Sequence, residues 1–306
     1  MYYEFLIDRL PPVTNCYSVT RNTVWQITDS DNILIIINDG QCRITCGCDS
    51  EIIKKGDIVF IPSGHAYLRE PIEMELCTMT YIHFTSDAPI NDMFASELQT
   101  RLISVKQTLD EQMLDGAAQK KYPGSVYIPF VCKNAYAETY GHIKKINLYS
   151  ANRPLLCGLQ SSVALCNILL ILSQKSIDSA LENDRISDVQ IIPGKLRKAI
   201  GYISKNFSKN ISLDELAAYC AVSKSQLIRY FKQSFDKTPL DYITDCRISR
   251  AKELIFNYPQ LTLKEISYEL GFDNQHYFSR VFHKNTGETP THYKTRVLNY
   301  TEPAGE

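Results

Sequence analysis

The chain has 306 residues and a mass of 34.9 kDa, enough for two domains that each bury a core. Its 44% hydrophobic and 22% charged residues are those of a globular protein. An unbroken apolar run of about eighteen residues and a basic-then-apolar start are both missing, so no membrane span and a cytoplasmic location are expected. The net charge of -1 hides an asymmetry: residues 195–297 hold 17 Lys and Arg against 10 Asp and Glu, whereas residues 1–194 hold 16 against 22, which makes the last third the candidate polyanion binder.

Residues 27–84 read as short β-rich runs broken by turn residues. Strands are predicted at 33–37, 41–45, 52–53 and 58–61, separated by Asn38-Asp39-Gly40, Lys55-Gly56-Asp57 and Pro62-Ser63-Gly64. Asp-Gly between two β-branched runs predicts a tight hairpin, and repeated short strands predict a sandwich or small barrel. The ten cysteines mostly fall inside apolar patterns (Cys16, Cys77, Cys132, Cys157, Cys166, Cys220, Cys246), as reduced buried thiols do. Cys42, Cys46 and Cys48 are spaced to share a strand face. A soft-metal or redox site there has a mechanism, but without a histidine or fourth cysteine at finger-like spacing, packing is the favoured reading.

From residue 91 onward the period lengthens. Apolar spacing of i, i+3, i+4 predicts helices over 93–114 and 155–173; residues 122–134 read as extended, and 135–148 fit either period. The apolar faces of the two predicted helices exceed what one small barrel can cover, so a homodimer interface is expected on them. Residues 182–194 are polar, lack periodicity and end in Pro193-Gly194, a linker signature. The expected organisation is 1–181 for ligand binding and dimerisation, 182–194 as linker, 195–297 as the basic domain, and 298–306 as a tail.

The basic domain repeats itself at a spacing of about 50 residues. Ser212-Leu213-x-Glu215-Leu216-Ala217 matches Thr262-Leu263-x-Glu265-Ile266-Ser267, each predicting a capping box in which hydroxyl and carboxylate satisfy helix-end amides reciprocally. Ala221-Val222-Ser223 matches Gly271-Phe272-Asp273 as a turn. After a one-residue slip, Leu227-x-Arg229-x-Phe231 matches Phe278-x-Arg280-x-Phe282, and Thr238-Pro239-x-x-Tyr242 matches Thr289-Pro290-x-x-Tyr293. Each half is therefore helix, turn, helix, which a generic helical hairpin also contains; two capped copies with a basic excess favour a reader of duplex DNA. A helix from Pro239 to about residue 256 would separate the two second helices by roughly 28 Å, close to one turn of B-DNA.

Gln275, His276, Tyr277 and Arg280 are the candidate base contacts of the second unit, although either Tyr277 or Phe278 is needed to pack inward. Gln matches adenine and Arg matches guanine bidentately. Ser225, Ile228 and Arg229 stand at the corresponding positions of the first unit and offer fewer bidentate readers. Lys224, Lys232, Lys284 and Lys294 are the candidate phosphate contacts, which set register without reading sequence. Solvation of a helix surface is the bland alternative for these side chains.

On these motifs, residues 195–297 resemble the DNA-binding domain of the AraC/XylS family of bacterial transcription regulators. The most specific of them is Gly271-Phe272-x-x-x-x-Tyr277-Phe278-Ser279-Arg280-Val281-Phe282-x-Lys284-x-x-Gly287-x-Thr289-Pro290-x-x-Tyr293. The resemblance implies two helix-turn-helix units on a long connecting helix, an effector-sensing or dimerising partner domain, and RNA polymerase as a further partner. Gly40 with Gly56-Asp57-x-x-x-x-Pro62-x-Gly64-His65 resembles the cupin barrels that many such regulators carry. Metal-dependent cupins place histidines upstream of the first glycine; here that stretch has none, and Tyr67 stands where a later ligand would, so no metal, cofactor or catalytic residue is expected. Trp25, His65, Tyr67, Tyr81 and His83 are the candidate lining of an effector pocket, with core packing as the alternative for each.

The expectation is thus an α+β chain: an N-terminal cupin-like β-barrel with a helical dimerisation segment, then an all-α double helix-turn-helix domain. Its expected function is that of a regulator, not an enzyme, binding double-stranded DNA and acting as an activator under a small-molecule effector. A cupin-type enzyme fused to a DNA-binding module and a ligand-independent regulator are the alternatives.

Overall fold

The computed structural model describes residues 1–7, 9–47, 49–73, 75–93, 97–98, 101–102, 125–152, 155–182 and 192–299. The N-terminal part is built from antiparallel strands. A five-stranded sheet has the order β12-β7-β4-β9-β2, with β2 Val13–Arg21, β4 Asn32–Asp39, β7 Ile58–Ile61, β9 Cys77–Phe84 and β12 Val131–Cys132. A four-stranded sheet has the order β3-β8-β5-β6, from β3 Trp25–Thr28, β5 Gln41–Cys46, β6 Asp49–Lys54 and β8 Ala66–Pro71. Three further strands, β1 Tyr2–Leu6, β10 Asn91–Met93 and β11 Ser125–Pro129, form a third sheet centred on β1.

Strand β4 explains the layering. Ile33, Leu34, Ile35, Ile36 and Ile37 form a continuous apolar run and all are fully buried, which requires partners on both faces of the strand. Their core includes Ile44, Ile53 and Tyr67 from the four-stranded sheet. It also includes Ile143 and Ile146 of α1 Tyr136–Asn152, and Leu165, Ile168, Leu169 and Leu172 of α2 Cys157–Glu182. By length and composition α2 is long and apolar enough over Cys157–Ala180 to cross a bilayer, a test that buried core helices also pass; 44% of its most apolar window is buried within the protein, so core packing accounts for much of its apolarity.

The Asp39-Gly40 turn is not the hairpin expected from its sequence. β4 pairs with β7 and β9 in one sheet, whereas β5 pairs with β6 and β8 in the other, so the turn is a corner between sheets. Gly40 is required there twice over. Its φ is +76°, and a Cβ would lie 2.3 Å from the Leu76 carbonyl oxygen. The helix expected over 93–114 lies largely outside the described residues, and Met93 itself ends β10. Among the described residues eight cysteines are free thiols, but Cys246 is disulfide-bonded, not reduced as expected.

Seven helices follow: α3 Ile192–Asn206, α4 Leu213–Tyr219, α5 Lys224–Phe235, α6 Pro239–Asn257, α7 Leu263–Glu269, α8 Gln275–Thr286 and α9 Pro290–Asn299. Caps place their ends. Ser223 with Gln226, Thr238 with Asp241 and Thr262 with Glu265 form complete capping boxes. At α4 only half of the expected box forms: the Ser212 hydroxyl accepts from the Glu215 amide, but the Glu215 carboxylate is held by the Tyr202 hydroxyl instead. Both repeats turn through the left-handed region at matching positions, Ala221 (φ 52°) and Gly271 (φ 74°).

Helix α6 serves two cores. Its first half gives Tyr242 and Ile243 to the cluster of Leu216, Leu227 and Phe231; its second half gives Ile248, Leu254 and Ile255 to the cluster of Ile266, Phe278, Phe282 and Tyr293. A second brace joins the units. Arg247 of α6 donates to the carbonyls of Phe207 (2.6 Å) and Lys209 (2.8 Å), and the Ser208 carbonyl so held leaves no room for a side chain at Gly271, where a Cβ would lie 1.9 Å away. The second unit also docks on the strand domain: Val24 and Leu68 join its core, and buried Lys252 of α6 pairs with buried Glu70 of β8 at 2.7 Å.

Candidate nucleic-acid interface and barrel cleft

Helices α5 and α8 present equivalent faces. In α5, Leu227, Tyr230 and Phe231 are buried, so the 3.6-residue period leaves Lys224, Ser225, Arg229 and Lys232 exposed and Ile228 half-buried. In α8, Phe278 and Phe282 are buried against Phe272 and Tyr293, which leaves His276, Tyr277, Arg280 and Lys284 exposed and Gln275 half-buried. The alternative inward position therefore goes to Phe278, and Tyr277 faces out. Arg229 lies over the Tyr230 ring at 5.8 Å and Arg280 over the Tyr277 ring at 5.9 Å, an arrangement that steadies each guanidinium.

The four candidate phosphate lysines divide. Lys224 pairs with Asp214 at 2.7 Å in an exposed bridge, and Lys294 donates to the Leu261 carbonyl, so both have internal partners. Lys232 and Lys284 are exposed, one in the last turn of each reader helix. Both lie near the start of α6: the Asp241 carboxyl is held below its ordinary value first by the Thr238 hydroxyl, and further by the charges of Lys232 and Lys284.

A separate small cleft, about 60 Å³ in volume, opens between the two large sheets. It is lined by alternate residues of four strands: Tyr17, Val19 and Arg21 of β2, Trp25 and Ile27 of β3, Tyr67 and Arg69 of β8, Tyr81 and His83 of β9, with Asp29 beside them. Period-two alternation puts each set on one face, and the pairings Tyr17 with Tyr81 and Trp25 with Arg69 align them across strands. Four of the five expected pocket residues meet here. His65 does not: it is exposed, its Nδ1 lies 3.2 Å from the Ser63 carbonyl, and its ring abuts Tyr3.

The walls are aromatic. Tyr17 stacks on Tyr81 (5.3 Å, 14°) and on His83 (5.5 Å, 22°), while Arg21 covers the Trp25 ring at 4.9 Å. Burial pushes the Tyr67 and Tyr81 hydroxyls above their ordinary range, so both are neutral hydrogen-bonding tips at neutral pH. His83 bridges two partners, Nδ1 to the Asp29 carboxylate at 3.2 Å and Nε2 to the Tyr17 hydroxyl at 3.3 Å. Asp29, Asp31 and His83 bring three ligand-type atoms within 4.8 Å of one another, but they engage each other and the Thr14 hydroxyl. Sequence reasoning missed Tyr17, Arg21, Asp29 and Arg69; the alternation around Tyr67 was the available signal for Arg69.

Residues 216–296 match the family model described as a helix-turn-helix domain. An uncharacterised HTH-type transcriptional regulator of Bacillus subtilis, YdeC, is 24% identical over 243 residues, covering 79% of this chain and 76% of its own length. An uncharacterised HTH-type regulator from the cgkA 5' region of Pseudoalteromonas carrageenovora is 32% identical over 121 residues, 40% of this chain and 71% of that protein. The arabinose operon regulatory protein of Escherichia coli is 34% identical over 101 residues, about a third of each chain.

Proposed function

This chain belongs to the AraC/XylS family of HTH-type transcriptional regulators and is a DNA-binding regulator, and from that premise we propose how its parts divide the work. The α5 and α8 faces enter successive major grooves. Ser225, Ile228 and Arg229 read one half-site; Gln275, His276, Tyr277 and Arg280 read the other with greater discrimination, since they include more bidentate donors. Lys232 and Lys284 hold the phosphates, with Lys224 and Lys294 joining them if DNA displaces their internal partners. The observation that carries this reading is the pair of reader helices of the same design fixed to the two ends of one 19-residue helix, a span of about 28 Å.

The cleft between the sheets, in a cupin-like barrel, takes a small-molecule effector, with its aromatic walls and few polar tips suited to that role. The chain acts without catalysis, in the cytoplasm where its DNA lies, and as an activator it would touch RNA polymerase. It works as a homodimer through α2 and the turn that leads into it: Leu156, Leu159, Val163, Cys166 and Leu170 follow a 3-4-3-4 spacing, and all but Cys166 are exposed in the monomer. The test is selection of bound sequences from a random DNA pool by the full-length chain, followed by footprinting. Two protected windows about one helical turn apart support the proposal; a single window, or retention of all sequences equally, overturns it.

A further inference from the structure

Resting on the reading of the cleft as an effector site, we infer that its ligand is a small organic anion, a carboxylate gripped by Arg69. Arg69 is 2% exposed, and a guanidinium stays charged at any physiological pH. None of its partners is a carboxylate: Nη2 donates to the Thr23 carbonyl (2.9 Å) and lies 3.4 Å from the Thr23 hydroxyl, Nη1 faces the Met79 sulfur at 3.8 Å, the Tyr81 hydroxyl is hydrogen-bonded to it, and the Cys77 thiol, held below its ordinary value first by the Cys42 thiol, is lowered further by the Arg69 charge. Among the described residues no carboxylate forms an ion pair with it. A buried, fork-shaped cation without a carboxylate partner is costly to maintain, and a bidentate carboxylate is the group its geometry matches.

The surroundings fix the rest of the ligand. The acid that lines the cleft, Asp29, is paired with His83, and no ion pair joins it to Arg69 among the described residues. Trp25 stands opposite Arg69 in the β3–β8 pairing, and Tyr67 and Tyr81 flank it, so an apolar or planar body attached to the carboxylate would lie against rings. The enclosed volume, about 60 Å³, takes the carboxylate and little more, so the rest of a small ligand lies at the open mouth of the cleft against the rings.

Trp25 is the chain's single tryptophan, so intrinsic fluorescence reports directly on this cleft. Full-length protein would be titrated with matched acid and amide pairs: phenylacetate and phenylacetamide, hexanoate and hexanamide, gluconate and gluconamide. For at least one pair the acid should bind on the order of tenfold or more tightly than its amide, with a saturable change in Trp25 emission and a rise in melting temperature. Arg69→Lys, which keeps the charge but removes the fork, should bring acid and amide to within about threefold. The acid and amide comparison needs no variant, so a misfolded Arg69 mutant leaves the test intact. Equal binding of both members of every bound pair would overturn the anion assignment while leaving the effector site standing. Failure of all six compounds to bind would remove both.

Discussion

The interdomain ion pair offers the most quantitative test of the structure. Lys252 and Glu70 meet at 2.7 Å with side chains 8% and 5% exposed, so each neutralises the other where water cannot. Removing one member of such a pair strands the other, at a typical cost of about 3–5 kcal/mol. The two losses are not equal here. Glu70 retains Arg296 at 3.6 Å, so Lys252→Met should cost less, about 2–3 kcal/mol; Lys252 without Glu70 keeps, among the described residues, the Tyr293 ring at 5.6 Å, so Glu70→Met should cost the full amount. In the double variant neither charge is stranded, and two methionines fill the volume; Arg296 keeps Glu288. The double variant should lie within about 1–2 kcal/mol of the wild type, a coupling of several kcal/mol. Urea unfolding followed by Trp25 emission and by circular dichroism measures all four proteins. If the two single losses simply add in the double variant, the pair is not buried as described and the reasoning fails.

Four other expectations follow from named contacts. Arg280→Ala should weaken operator binding by about 1–3 kcal/mol and relax preference at one base pair, measured by competition against single-base operator variants; uniform weakening on all sequences would reassign Arg280 to the backbone. Lys232→Ala should weaken binding to all sequences alike and reduce the slope of log K against log salt by about one, and an unchanged slope would remove it from the phosphate set. Leu159→Glu with Leu170→Glu should leave the circular dichroism spectrum unchanged and convert a dimer to a monomer in analytical ultracentrifugation, because both side chains are more than half exposed in the single chain; a persistent dimer would move the interface off α2. Ala221→Gly should raise the stability of the first helix-turn-helix unit by up to about 1 kcal/mol in thermal unfolding, since Ala221 holds φ at 52° at a cost glycine escapes; a loss instead would mean the methyl group is packed.

What could be read beforehand was local. The strand over 58–61, the connecting helix that begins at Pro239, and the repeat itself are carried by caps, turn residues and apolar spacing, all of which act within a few residues. Partnership is not local. Asp39-Gly40 announces a chain reversal with positive φ, but which strand lies alongside after the reversal depends on the whole sheet, and β5 went to a different one. Glu215 shows the same limit: its spacing from Ser212 fits a capping box, yet Tyr202, thirteen residues away, takes the carboxylate. In the cleft, aromatic residues announced themselves by type, whereas His65 sits one residue before its strand and points out. Arg69 belongs to no motif, and only the fold encloses it.

The Gly271 contact bears on the operator as much as on the protein. With Ser208 pressed against a residue that has no side chain, and Arg247 fastening the loop behind it, the reader helices are joined at two places, and a body fastened at two places does not swivel. A regulator of this construction cannot stretch to follow an operator whose halves have been moved apart by inserted base pairs; the duplex must twist or bend to meet it, and that mechanical work falls on the DNA sequence between the half-sites.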